Sequence, residues 1–398
     1  MKRRSLHLLS FALLFASIGC GGGSAPKTTV PPVASCTPSS KPAFAYTLEG
    51  ALQAWGDGAI STYTVDSCTG ALTPSAPAPV ATGSDPEDMA VDPSGRFVYV
   101  ANLVSNASDL ATISMYTIDS STGVLAPTNP PTVPTGFFPQ GIAIDPLGRF
   151  VYTANSDDNT VSMFTINQST GVLAPTSPPS VAAGWSPDGL TVDPSGRFAY
   201  AANQDDDTVS MYTIDQTTGV LTPTSPATVP TGQSPFDITV DPSGRFAYVP
   251  DTYDSRNIVS EYTIDSSSGV LTPTQTVTAG NQPTFVAIDP SSKFAFVVNR
   301  YDQTISEYRI DSTTGALSPN GTTAAGAAWW RAAVDPSGKF VYVTSGSGGV
   351  SVLNLSADGT LTSAGGAATP SASYAISVIS NPAAMTQAAR ECVDARLR

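Results

Sequence analysis

Aromatic and apolar residues alternate with other residues in short runs along most of this chain, which is the period of a β-strand. The run Phe97-Val98-Tyr99-Val100-Ala101-Asn102 places two aromatic side chains on one face. The same aromatic pair returns at Phe150/Tyr152, Phe198/Tyr200, Phe246/Tyr248, Phe294/Phe296 and Phe340/Tyr342. Each pair predicts one buried strand, so the pattern predicts an all-β fold.

A longer repeat surrounds each of these strands. An Asp-Pro pair precedes the strand at Asp92, Asp145, Asp193, Asp241, Asp289 and Asp335, with spacings of 46 to 53 residues. Proline fixes φ in the turn, and the glycine that follows in most copies accepts a positive φ. The unit reads as an inner strand such as Met89-Ala90-Val91, the aromatic strand, a strand such as Ile113 to Ile118, and a short strand such as Val124-Leu125-Ala126. A Pro-rich connection then leads into the next unit, and this period indicates propeller blades or a solenoid.

The two ends of the repeat region favour a closed ring. Phe44 and Tyr46 repeat the aromatic pair with no inner strand before them, while Ser373 to Ile379 is a single strand after the last repeat. We therefore predict an all-β, seven-bladed β-propeller with four-stranded blades, in which the C-terminal strand closes the first blade. A solenoid is the structural alternative, although it would not need a split blade.

The N-terminus predicts export. Three basic residues precede an apolar stretch from Leu6 to Ile18, which is too short to span a membrane stably. It ends in Ser17-Ile18-Gly19-Cys20, which resembles a bacterial lipobox and predicts lipidation of Cys20. An ordinary secretory signal is the alternative. We expect a protein of the bacterial cell envelope, held to a membrane only by its lipid.

The predicted organisation has four parts. Residues 1–19 form a lipoprotein-type signal peptide, and residues 20–41 form a flexible tether that is rich in glycine and proline. Residues 42–382 form the propeller, and residues 383–398 form a C-terminal tail.

Charge and cysteine content limit the partners. Only 13% of the residues are charged and the formal net charge is −14, which argues against nucleic acid and anionic lipid surfaces. The expected partner of this predicted monomer is a small molecule, a glycan or a protein at the channel mouth. Export permits one disulfide. We favour Cys36–Cys68, and Cys392 could replace either partner.

No cofactor or metal is predicted. The cysteine spacing does not resemble a zinc site. The loops Asn155–Asn159 and Asn203–Asp207 offer oxygen ligands for Ca²⁺, but asparagine and aspartate are also common in turns, and we favour that interpretation.

The candidate site lies where the repeat loses its uniformity, just before the inner strands. Functional residues often occupy such loops. The candidate ligand-binding residues are Glu87, Asp88, Gln140, Asp188, Phe236, Trp329, Trp330 and Asn299. Arg331 could bind an anionic or carbohydrate-like ligand, or it could pair with Asp88 or Asp237. The single histidine, His7, lies in the predicted signal, so acid–base chemistry would fall to carboxylates.

The repeated phrase resembles a known family. Asp-Pro-Ser-Gly-Arg-Phe-Val-Tyr-Val-Ala-Asn, followed by Thr-Val-Ser-Met-Tyr-Thr-Ile-Asp and Thr-Gly-Val-Leu, resembles the lactonase-family seven-bladed propellers, which include phosphogluconolactonase. It also resembles the Tyr-Val-Thr-Asn repeats of surface-layer propellers. The resemblance implies a lactone hydrolase with a catalytic Arg-His motif. Asn299-Arg300 matches the family's Asn-Arg, whereas Pro235-Phe236-Asp237 and Pro187-Asp188-Gly189, where that motif should fall, contain neither its arginine nor its histidine.

Two functions follow. We favour an exported propeller that binds a ligand or protein, and the alternative is a lactonase-type hydrolase acting on a sugar lactone. In the hydrolase, Asp237 would replace the family's histidine as base, and Arg331 and Arg300 would stabilise the oxyanion. We expect neighbouring arginines to hold the pKa of Asp237 low, which favours binding over catalysis.

Overall fold

The computed structural model describes residues 43–50, 57–75, 78–103, 111–253, 256–326, 328–345, 349–367 and 373–379. They belong to one compact unit, Pro38–Arg398. The described part of the chain contains no helix that could cross a membrane. The predicted signal peptide, the predicted tether and the C-terminal tail, with Cys20, Cys36 and Cys392, lie outside the described residues.

The strands form seven antiparallel sheets, one per blade. Blade 1 consists of β1 (Ala43–Glu49), β2 (Asp57–Val65), β3 (Leu72–Pro74), β4 (Val80–Ser84) and the last strand, β29 (Ser373–Ile379). Blade 2 consists of β5 (Pro86–Val91), β6 (Phe97–Asn102), β7 (Thr112–Ile118) and β8 (Leu125–Pro134). Blade 3 consists of β9 (Pro139–Ile144), β10 (Phe150–Asn155), β11 (Thr160–Ile166) and β12 (Leu173–Ala182).

The other four blades follow the same order. Blade 4 consists of β13 (Pro187–Val192), β14 (Phe198–Asn203), β15 (Thr208–Ile214) and β16 (Leu221–Pro230). Blade 5 consists of β17 (Thr239–Val240), β18 (Phe246–Asp251), β19 (Ile258–Ile264) and β20 (Leu271–Thr278). Blade 6 consists of β21 (Pro283–Ile288), β22 (Phe294–Asn299), β23 (Thr304–Ile310) and β24 (Leu317–Ala324). Blade 7 consists of β25 (Ala328–Val334), β26 (Phe340–Ser345), β27 (Val350–Leu355) and β28 (Leu361–Ala367).

The C-terminal strand closes the ring, as the sequence predicted. β29 pairs antiparallel with β1, so that Phe44 lies opposite Ile379 and Tyr46 lies opposite Ser377. Each inner strand contacts the next around the ring, and β29 contacts both β25 and β5. The prediction of a seven-bladed propeller with a split first blade is confirmed.

The outermost strands differ from the prediction. We expected short outer strands followed by Pro-rich connections, but β8, β12 and β16 each include the Pro-rich segment. The register shifts within each pairing, and the extra residues lie in the outer strand, as between Pro127 and Thr132 of β8. An edge strand tolerates proline because its outer side has no strand to bond. In blade 1 the outer edge is divided between β3 and β4, which both pair with β2.

The repeated residues hold the blades together. The Tyr99 hydroxyl donates to the Gly171 carbonyl of the next blade at 2.8 Å, and a side chain at Gly171 would clash with the Phe97 ring. The Asp241 carboxylate accepts hydrogen bonds from the backbone N–H groups of Arg245 and Phe246, both at 2.9 Å. The Asp-Pro carboxylates therefore organise turns, on the face opposite the candidate site.

Candidate functional site

A buried ion-pair network lies among the inner strands at the channel mouth. Arg331, on β25, directs one terminal nitrogen to Asp88 Oδ2 at 3.1 Å and the other to Asp237 Oδ2 at 3.3 Å. Asp88 lies on β5 and Asp237 lies just before β17, so one guanidinium connects blades 7, 2 and 5. Only 21% of the Arg331 side chain is exposed, and its guanidinium lies 5.3 Å from the centre of the Phe285 ring of blade 6.

Backbone donors fix the two carboxylates. Asp88 Oδ1 accepts from its neighbour Met89 N–H at 2.8 Å, and Oδ2 accepts from Ile142 N–H of blade 3 at 3.1 Å. Asp237 Oδ1 accepts from Ile238 N–H at 2.7 Å. These hydrogen bonds hold the carboxylates in place without a ligand, so the site is preorganised.

Two glycines let the inner strands approach each other at the site. A β-carbon at Gly189 would clash with Asp237, and one at Gly141 would clash with the backbone of Asp188. The Gly189 N–H donates to the Phe236 carbonyl at 3.0 Å, which gives Phe236 a backbone role between blades 4 and 5. Any larger residue at Gly189 would displace the carboxylate that Arg331 binds.

Burial controls the protonation of these acids. It raises the pKa of Asp237 to about 6, although Arg331 and the Ile238 N–H lower it. Burial, together with the charge of Asp237, raises the pKa of Asp188 well above its ordinary value. Burial also raises the pKa of Asp88 against the opposing effect of Arg331. The expectation that arginine would hold the pKa of Asp237 low was wrong, because the loss of solvent around the buried carboxyl outweighs its attraction to Arg331.

The other ionisable groups at the mouth follow the same physics. Burial, then the charges of Asp85 and Asp88, raises the pKa of Glu87 to about 7. Burial alone would lower the pKa of Arg331, but the surrounding carboxylates raise it above its ordinary value. Arg331 is therefore permanently charged, whereas Glu87 and Asp237 change protonation close to neutral pH.

Several predicted site residues lie within strands rather than in loops. Glu87 and Asp88 are on β5, Gln140 is on β9 and Asp188 is on β13. Trp329 and Trp330 precede Arg331 on β25, and their side chains are outside the described residues. Register shifts within these inner-strand pairings extend the strands toward the mouth, which the repeat alone did not predict.

Asn299 and Arg300 are positioned by the second strand of blade 6. Asn299 is the last residue of β22 and Arg300 follows it, and this strand lies one strand outward from the channel. Asn299 is fully buried, its amide donates to Ser306 Oγ at 2.9 Å, and its carbonyl oxygen accepts from Gly280 N–H at 3.0 Å. Asn203 makes the corresponding bonds in blade 4. Arg300 is half-buried, and its backbone N–H donates to Gln282 O at 2.9 Å.

Aspartates of the Asp-rich loops accept hydrogen bonds from the backbone of the connections between blades. The Asp158 carboxylate accepts from Phe137 N–H at 2.8 Å, and Asp206 accepts from Trp185 N–H at 2.6 Å. Among the described residues, no group of three or more acidic, histidine or cysteine side chains is arranged to hold a metal ion. The described cysteine, Cys68, is disulfide-bonded, and its pairing with Cys36 stays a prediction.

Sequence reasoning missed Asp85 and the exposed residues Phe137, Tyr253 and Tyr301 of this face. Asp85 precedes proline in the connection that leads into blade 2. Phe138, Ser186 and Ser234 precede proline in the corresponding connections into blades 3, 4 and 5, and all four residues have a positive φ. The shared position before proline is the signal that identifies Asp85 as part of the mouth.

The fold and the site define a closed seven-bladed propeller with an acidic mouth centred on one arginine. The chain matches the family described as "Lactonase, 7-bladed beta-propeller" over residues 51–240 and 246–372, and it belongs to that family. No curated protein sequence matches it.

Solved structures share the fold. A Bacteroides uniformis protein provisionally assigned as a 6-phosphogluconolactonase superimposes with a TM-score of 0.74 and 21% identity, over 85% of this chain and 100% of that chain. The periplasmic gluconolactonase of Pseudomonas aeruginosa superimposes with a TM-score of 0.71 and 20% identity, over 86% of this chain and 100% of its own. These identities support a common fold. The similarity to surface-layer repeats stays a prediction.

Proposed function

We propose that the channel mouth binds an uncharged, polyhydroxylated ligand, such as a sugar or sugar lactone, without accelerating its hydrolysis. The double pairing of Arg331 with Asp88 and Asp237 carries this proposal. An anionic ligand would have to displace Asp88 or Asp237 from the guanidinium and would then lie beside the displaced carboxylate. Carboxylates instead accept hydrogen bonds from hydroxyl groups, and each has two oxygens with which to do so.

Hydrolysis of an uncharged lactone at the same site is the second candidate function. Membership of the lactonase family supports it, as do the pKa values of about 6 for Asp237 and about 7 for Glu87, which suit general acid–base catalysis near neutral pH. In that reaction Asp237 would activate a water molecule. Arg331 would have to release a carboxylate before it could stabilise the oxyanion, which disfavours efficient turnover.

Ligand titration tests the proposal. Glucitol and glucose should bind the wild-type chain, whereas 6-phosphogluconate should bind about tenfold more weakly or not at all, because the acidic mouth repels anions. Asp237→Asn should weaken glucitol binding, while Arg245→Met should not, since Arg245 lies in an Asp-Pro turn of the opposite face. Preferential binding of 6-phosphogluconate would contradict the proposal.

The same samples separate binding from hydrolysis. We expect gluconolactone to open no faster with the protein than in buffer. If opening is instead accelerated and the acceleration is lost in both Asp237→Asn and Arg331→Met, the second candidate function is correct.

We also propose that the protein acts outside the cytoplasm on a lipid anchor at Cys20. The lipobox-like sequence supports the anchor, and the periplasmic location stated for the Pseudomonas aeruginosa structure supports export. Cys20→Ser should move the protein from the membrane fraction to the soluble fraction. An unchanged membrane fraction in this variant would argue against lipidation of Cys20.

A further inference from the structure

Four exposed aromatic side chains follow one another around the mouth face. They come from the loops of blades 3, 4, 5 and 6 in turn: Phe137 is 45% exposed, Trp185 is 67%, Tyr253 is 59% and Tyr301 is 71%. Leu147, also 45% exposed, is on a turn of the opposite face. We call the four aromatic residues the aromatic rim.

The loops that carry the aromatic rim are fixed by hydrogen bonds. Asp158 and Asp206 hold the backbone N–H groups of Phe137 and Trp185, and Tyr301 N–H donates to Asn281 O at 3.2 Å. The residues that follow the first two, Phe138 and Ser186, have φ values of 52° and 53°. Phe137, Trp185 and Tyr301 are thus displayed from hydrogen-bonded loops, and large exposed aromatic groups repeated on one face indicate a binding surface.

The charge around the rim selects among possible partners. Asp158, Asp206 and Asp302 lie in the same loops, and Asp88 and Asp237 lie at the centre of the face. Acidic surroundings disfavour an anionic polymer or an anionic bilayer. An uncharged carbohydrate suits both features, because the apolar faces of sugar rings stack on aromatic rings and the hydroxyls donate to carboxylates.

A ligand in contact with all four rim residues has to extend across the loops of four blades. The rim residues belong to four consecutive blades, whereas the central network occupies the channel mouth. We propose that the aromatic rim binds an uncharged polysaccharide along its length, with one end of the chain directed to the mouth. The placement of that end rests on the proposed function, and binding along the rim does not.

Calorimetry with the full chain carrying Cys20→Ser tests the rim with two probes, cellohexaose and glucitol. Trp185→Ala and Tyr301→Ala should each weaken cellohexaose binding by about tenfold, within the range of one lost stacking contact. Neither should change glucitol binding. Leu147→Ala is the matched control, with similar exposure on the opposite face, and should change neither affinity. Thermal melting checks that all variants are folded.

The two proposals fail in different ways. If glucitol binds but cellohexaose binds no more tightly, or if both rim variants bind cellohexaose normally, the rim proposal is overturned and the proposed function stands. If cellohexaose binds in a rim-dependent way but glucitol does not bind, the rim stands and the proposed function fails. If neither probe binds, both fail. The proposal would also be overturned if the protein bound no sugar but sedimented with phosphatidylcholine vesicles, and if the rim variants lost this sedimentation. The rim would then be a membrane-binding surface.

Discussion

Deleting every residue after Ala372 is expected to abolish cooperative unfolding of the propeller. The deletion removes β29, which supplies the inner strand of blade 1 and pairs with β1 from Phe44 to Glu49. It exposes the hydrogen-bonding edge of β1 and the buried residues Phe44 and Leu48. An open strand edge of this kind favours aggregation. Thermal melting and light scattering should show a broad transition and association.

A second truncation provides the control for this experiment. Ending the chain after Pro382 keeps β29 and removes the predicted tail, residues 383–398. That variant should melt as the full chain does. If the truncation after Ala372 keeps the melting curve of the full chain, closure by β29 does not stabilise the ring.

Replacing Glu261 by methionine should stabilise the protein. Met115, Met163 and Met211 occupy the same position in blades 2 to 4, where the sulfur of Met211 accepts from Leu271 N–H at 3.2 Å. In blade 5, Glu261 Oε2 accepts from Leu317 N–H and from Gln275 Nε2, both at 3.2 Å, but Oε1 is buried without a hydrogen-bond partner. Relieving one unsatisfied buried polar atom contributes about 1–3 kcal/mol.

The gain should depend on pH. Burial raises the pKa of Glu261 from 4.5 to about 7, so the folded state binds its proton more tightly than the unfolded state. The stability that protonated Glu261 contributes to the wild-type protein is fully present below pH 4.5 and is lost as pH rises through about 7. The difference in Tm between Glu261→Met and wild type should be small at pH 4.5 and should grow up to about pH 8.

The reverse substitution tests the same reasoning in another blade. Met211→Glu places a carboxyl at the corresponding position of blade 4 and should lower Tm, more at pH 8 than at pH 4.5. A Glu261→Met variant that is no more stable than wild type at pH 8 would show that Glu261 is accommodated at no cost.

The sequence predicted the ring more completely than the site. The regular Asp-Pro spacing and the solitary Ser373–Ile379 strand were sufficient for blade number and closure, because every blade repeats the same local pattern. The Pro-rich edge strands were missed because proline usually ends a strand, and only the position of β8 at the outer edge makes it acceptable.

The site depended on tertiary detail. Asp88 and Asp237 were recognised as candidate partners of Arg331, since charged residues interrupt the repeat at those positions. Sequence alone does not give the depth of burial, so the raised pKa of Asp237 was not predicted. The structural role of Asn299, whose buried side chain bonds Ser306 and Gly280, was not predicted either. Asn155 and Asn203 occupy the same position in other blades and could have indicated it.

The pairing of β1 with β29 also sets the order in which the molecule can be completed. The first strand of the ring must wait for the last one, Ser373–Ile379, which is made after the other six blades. At about 5–20 residues per second, that delay is on the order of half a minute. During this time the edge of β1 lacks its native neighbour. A nascent chain of this design therefore stays unclosed until Ser373–Ile379 has been made.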